Sequence, residues 1–134
     1  MQEINNWGVP YSVITFFERA LRGHDMVISF DRTNDIYFTI KDIHGRTLQV
    51  LLINDYSIGI AAILRARSEF PDLEYIVTGG NWNGYTAEAK EYGQNNSIGI
   101  FNIGEFLGSL NWTDPKRYFK KDDDGNPLYS FKNS

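Results

Sequence analysis

Few residues in this chain have the types and settings that chemistry needs. Gln49 stands alone in the apolar run Leu48-Gln49-Val50-Leu51-Leu52-Ile53. A polar amide in such a strand either has buried partners or does chemistry. Trp82 and Tyr85 belong to a Gly/Asn-rich stretch, GGNWNG from Gly79 to Gly84 and on to Tyr85. There a ring can stack on a base or insert into a partner protein. Lys116 and Arg117 follow Pro115 in PKRYFKK at 115–121, a basic and aromatic mixture of the kind single-strand binders use. Asp122, Asp123 and Asp124 come next and offset its charge.

Other chemistries lack their parts. The chain has no cysteine, so disulfides and thiolate metal sites are excluded. His24 and His44 show no metal-ligand spacing, and there is no nucleophile elbow for a serine hydrolase. GGNWNG has no lysine of the kind a phosphate loop carries.

Composition narrows the classes further. A chain of 134 residues is long enough for one domain with a core and too short for two. The formal net charge is −4, a poor basis for binding phosphates without sequence preference and a better match to a basic protein partner. The opening MQEINNWGVP lacks the basic and apolar regions of a signal peptide, and no apolar run reaches membrane-spanning length. A cytoplasmic location and no membrane partner are expected.

The elements that must position these residues follow from periodicity. Ile36, Phe38 and Ile40 alternate with Tyr37, Thr39 and Lys41, which predicts a strand with two distinct faces. A two-residue turn at His44-Gly45 joins it to the strand at 48–53. That register sets Ile36, Phe38 and Ile40 opposite Ile53, Leu51 and Gln49, with Asp35 pointing to the other face. Val13, Phe17, Ala20 and Leu21 predict a helix from Pro10 to about 22, with Glu18 at the border of core and solvent. Met26 to Phe30 reads as a strand. Ile60, Ile63 and Leu64 form the apolar face of a helix over about 56–70. A strand at 73–77, a short helix capped by Thr86 and stopped by Gly93, and a strand at 98–101 follow. Asn102 and Glu105 make a capping box for a last helix. Residues 1–9 are expected to form an N-terminal arm, 10–112 a core, and 113–134 an extension or hairpin turning at 124–127. The order predicts an α/β fold with a mixed central sheet flanked by helices.

Over roughly Val13 to Leu110 this order and several local motifs resemble the PD-(D/E)xK nuclease superfamily. The nearest branch is the catalytic domain of Mrr-type restriction endonucleases. The resemblance rests on Phe17-Glu18 in the first helix, Asp35 before a strand, and Gln49-Val50-Leu51 in the next. It extends through Tyr75-Ile76-Val77-Thr78-Gly79-Gly80, Ala89, and 98–110. It implies a restriction-endonuclease-like αβββαβ core. It also implies a site at Glu18, Asp35 and Gln49, with Glu18 and Asp35 as ligands of a divalent cation such as Mg²⁺. The family places lysine where this chain has Leu51. With the lysine missing, the expected function is a non-catalytic binding module: an inhibitor, immunity-type or regulatory protein that needs no cofactor. A small Mg²⁺-dependent DNA nuclease with a rearranged site, and an accessory subunit of a nucleic-acid-processing assembly, are the alternatives. Trp82, Tyr85, Lys116 and Arg117 are the expected binding residues.

Overall fold

A computed structural model describes residues 5–80 and 82–133. Along the chain run α1 (Tyr11–Arg22), β1 (Val27–Thr33), β2 (Tyr37–Asp42), β3 (Thr47–Ile53), β4 (Ser57–Ile58), α2 (Ile60–Glu69) and β5 (Tyr75–Thr78). Next come β6 (Gly84–Tyr85), α3 (Ala87–Asn95), β7 (Gly99–Asn102) and α4 (Ile103–Ser109). A 3-10 turn (Pro115–Arg117), β8 (Lys120–Lys121) and β9 (Pro127–Leu128) complete the order. The main sheet has the order β1-β2-β3-β5-β7. β1, β2 and β3 pair antiparallel, and β3, β5 and β7 pair parallel. Among the described residues it is a mixed sheet with four α-helices in an α/β arrangement. None of the described helices is long and apolar enough to cross a membrane.

The pairing register assigns side chains to faces. Phe38, Val50 and Tyr75 lie in one row across the strands. That face meets α1 and α4: Phe17 packs edge-on against Phe38 with ring centroids 4.9 Å apart, and Phe106 against Tyr75 at 5.5 Å. Tyr37, Gln49, Leu51 and Ile53 alternate to the other face. There Tyr37 stacks on Phe70, the residue that closes α2. Both faces of β3 beyond Gln49 are covered, with Val50, Leu51, Leu52 and Ile53 all buried. A strand covered on two sides explains the continuous apolar run.

The register differs by one residue from the sequence expectation. Ile43 to Arg46 separate β2 from β3, and inside the Asp42–Arg46 pair the turn holds three residues, Ile43, His44 and Gly45, with Gly45 at φ +81°. It is closed by the Asp42 amide donating to the Arg46 carbonyl. Thr39, not Ile40, therefore faces Gln49, and Phe38 faces Val50. The cause is Asp42, whose carboxylate accepts the amides of His44 and Arg46 and so widens the turn.

Three local expectations also change. In α2 the buried residues are Ile63 and Ala66, while Ile60 and Leu64 are exposed. α3 runs to Asn95, so Gly93 does not stop it. A Cβ at Gly93 would stand 2.6 Å from the Ile98 carbonyl and from Ile100, so the glycine lets the helix seat on β7. β1 continues to Thr33, with a β-bulge between Val27 and Ser29.

Of the arm expected at 1–9, residues 5–9 are described, and they are tied down. Val9 is in the core, and Trp7 lies under the Arg65 guanidinium, 3.8 Å from its ring centroid, while bonding Glu69. The C-terminal segment folds back along β6. Tyr85 in β6 bonds Ser130 and Lys132 through its backbone, and β8 and β9 form a small hairpin whose turn includes Gly125 at φ +84°.

Candidate functional site

Glu18 and Asp35 are brought together, by a residue that no motif in the sequence marks. Arg32, on β1, lies between them. Its Nε donates to Glu18 at 3.1 Å, and its Nη1 donates to the Asp35 carboxylate and carbonyl at 3.2 Å each. Pairing explains the geometry. Arg32 is opposite Phe38 and shares its face, so the guanidinium points toward α1, where Glu18 follows the core residue Phe17. Asp35 sits in the β1–β2 turn at φ +65°, preceded by Asn34 at φ +48°. Asn and Asp tolerate these left-handed angles better than most residues. Glu18 is largely buried and Asp35 half exposed, with side-chain exposures of 14% and 54%.

Gln49 is elsewhere. It lies on the opposite face of the sheet from Glu18, half buried, and accepts a hydrogen bond from the Thr39 hydroxyl at 2.9 Å. The one-residue change of register creates this pair. Leu51, in the lysine position of the resemblance, is fully buried. The three residues of the implied site therefore do not all converge: Glu18 and Asp35 meet at Arg32, and Gln49 lies apart. A guanidinium fills the space between the two carboxylates, and the amide faces away from both. No group of three or more His, Asp or Glu suited to a metal ion occurs among the described residues. The donor set does not fit a Mg²⁺ centre, which favours several oxygens around one point.

Tyr85 is also not where its sequence context suggests. Instead of displaying its ring, it is fully buried. Its hydroxyl donates to Glu105 at 2.6 Å and accepts the Ser130 amide at 3.0 Å. Burial first, then the Glu105 charge, pushes its phenol well above the usual tyrosine value. Glu105 is held in turn by the capping box, through the Asn102 amide at 3.0 Å.

Next to this pair lies Lys90, which sequence reasoning missed. It comes from the buried face of α3 together with Ala89 and Gly93, and is only 4% exposed. Its ammonium donates to the Ile100 carbonyl at 2.8 Å. It is surrounded by the rings of Phe101, Tyr85 and Tyr129, with centroids 4.2, 5.0 and 5.6 Å away. Burial pushes its pKa down to about 8, against the pull of the Glu105 charge. The available signal was its helical adjacency to small residues that pack on a strand.

The carboxyl ends of β3, β5 and β7 carry a polar cluster. Asn83 donates to Asn54 at 3.2 Å and to the Gly79 carbonyl, and Thr78 donates to the Asp55 carbonyl at 2.6 Å. Asn102 donates to Ser130 at 3.1 Å. Burial raises the Asp55 carboxyl above the ordinary value, with Arg65 acting the other way. Trp82, close by in sequence, is 79% exposed. Lys116 and Arg117 are both paired, Lys116 with Glu74 at 3.5 Å and Arg117 with Asp114 at 3.4 Å. Their charges are partly compensated before any phosphate approaches.

No protein-family model, curated protein or solved structure matches the chain.

Proposed function

We propose that this chain is a restriction-endonuclease-like domain that acts by recognising another macromolecule rather than by cutting DNA. The observation that carries this reading is Arg32, whose guanidinium holds Glu18 and Asp35 where a catalytic cation would need them. The antiparallel β1-β2-β3 followed by parallel β5, with α1 before and α2 between, supports the nuclease-like ancestry. The buried Leu51 supports the loss of catalysis, because an alkyl side chain holds neither proton nor water.

A protein partner with basic character suits the net charge of −4. Candidate contact residues are the apolar side chains the fold leaves in water. Ile60 and Leu64 are one turn apart on α2, and Tyr56 precedes them. The Tyr56 carbonyl accepts the amide of Gly84, two residues past Trp82. An inhibitor, immunity-type or regulatory role is consistent with such a surface.

A metal-dependent nuclease is the second reading, and the convergence of Glu18 and Asp35 on one point favours it. The deciding experiment incubates purified protein with supercoiled, linear and single-stranded DNA in Mg²⁺ and in Mn²⁺. The binding-module reading expects no cleavage. Cleavage that copurifies with the protein and disappears in Asp35→Ala would establish the nuclease instead.

A further inference from the structure

The carboxyl ends of parallel strands are where open α/β sheets hold ligands, and this sheet has a crevice there. It has a volume of about 410 Å³ and opens between α1 and α4, beyond Gly80 and the end of β7. That volume falls at the small-ligand end of the usual range for binding pockets. Val13 and Phe16 form one wall, and Ile103 and Leu107 the other. One charged residue lines it: Lys120, from β8. Lys120 is exposed, and no ion pair among the described residues involves it. The crevice therefore offers an apolar slot with one lysine ammonium at its lip.

Its openness depends on Gly104. A Cβ there would meet nothing closer than the Asn102 side chain at 3.6 Å, so packing does not demand the glycine. A larger residue would project into open space, on a helix that glycine itself weakens.

We propose that this crevice binds a small apolar monocarboxylate, with the hydrocarbon body between α1 and α4 and the carboxylate at Lys120. The site is separate from Arg32 and does not depend on the macromolecular partner. Charge selects the ligand class: an apolar cation would meet Lys120 unfavourably, and a neutral analogue would lose the ion pair.

Octanoate serves as the probe, titrated into the full chain and followed by amide chemical shifts, with octanol as the neutral analogue. The expected result is saturable binding with a dissociation constant on the order of 1 mM or tighter. Shifts should centre on 12–16, 102–107 and 120. Octanol, and octanoate with Lys120→Gln, should bind about two- to fivefold more weakly at low salt, the size of an exposed ion pair. Gly104→Leu should remove binding by filling the slot. Phe16→Glu, at a half-exposed helix position, should remove it independently by repelling the carboxylate. Shifts that fail to saturate or scatter over the surface would overturn the proposal. So would octanol matching octanoate, or undiminished binding in a folded Gly104→Leu or Phe16→Glu.

Discussion

Arg46 closes over Asp42 and joins the β2–β3 turn to the end of α4. Its Nε bonds the fully buried Asp42 carboxylate. Its two terminal nitrogens reach the carbonyls of Trp112 at 2.7 Å, Thr113 at 3.1 Å and Leu110 at 3.1 Å. Helices leave their last carbonyls without internal partners, and here one guanidinium serves the carbonyls at and just past the helix end. Replacing Arg46 by Ala strands a buried charge together with those carbonyls. A loss of about 3–5 kcal/mol is expected, measured by urea unfolding at pH 7.

The same pair sets an acid limit. Burial works to raise the Asp42 carboxyl. The hydrogen bond from the Arg46 side chain, the amides of Arg46 and His44, and the Arg46 charge outweigh it and hold the pKa below the ordinary value. A depressed carboxyl stabilises the fold above its unfolded pKa and loses that contribution as pH falls through the folded one. Asp42→Asn should flatten the decline in stability below about pH 4 relative to the parent. An unchanged acid profile would remove Asp42 from this role.

Lys90 acts in the alkaline range with the opposite sign. Its folded pKa of about 8 lies below the ordinary lysine value of 10.5. Between those values the unfolded chain holds a proton that the folded chain has released, so this group's contribution to stability rises with pH. The burden of the buried ammonium is fully present below about pH 8. Comparing the parent with Lys90→Met isolates the effect from the tyrosines. The difference should move by about 2 kcal/mol in the parent's favour from about pH 7 to about pH 10.

Gly84 decides whether the C-terminal segment docks. A Cβ there would lie 1.9 Å from the Ser130 backbone carbonyl. Gly84→Ala should detach residues 129–132 from β6 while leaving the main sheet paired. Limited proteolysis should then cut within 119–133 faster than in the parent, with the amide spectrum of β2, β3 and β5 unchanged.

Leu51→Lys tests whether a lysine at this position, where the resembling nucleases carry one, confers DNA cleavage. Leu51 is buried, so an unpaired ammonium there should cost several kcal/mol, on the order of 3 kcal/mol or more, unless it is neutralised. No DNA cleavage in Mg²⁺ is expected from this variant, since Arg32 still occupies the two carboxylates. Thermal unfolding and a nicking assay check the two halves separately.

Local signals were readable in the sequence where they act over a few residues. Thr86 caps α3 by accepting the Ala89 amide, and Asn102 with Glu105 forms the capping box on α4. The β2–β3 pairing was readable from alternation, but its register was not, because Asp42 recruits Arg46 and lengthens the turn. Tyr85 misleads because its sequence neighbours are glycine and asparagine. The groups that hold its hydroxyl, Glu105 and Ser130, lie 20 and 45 residues away. Arg32 left a faint trace, an Arg–Asp spacing of three across a turn. Only the fold brings Glu18 to its other side.

The bulge in β1 bears on how copies of this chain behave when crowded. β1 ends the sheet, and no backbone hydrogen bond among the described residues covers the outer side of Phe30 to Thr33. Such an edge is a template on which another molecule's strand can grow, the first step toward insoluble ribbons. The irregularity between Val27 and Ser29 breaks the even row of donors and acceptors, and Asp31 stands exposed in its middle. A second copy pairing antiparallel about Asp31 would set carboxylate against carboxylate. The strand thus carries its own deterrent to templated growth, built from one extra residue and one charge.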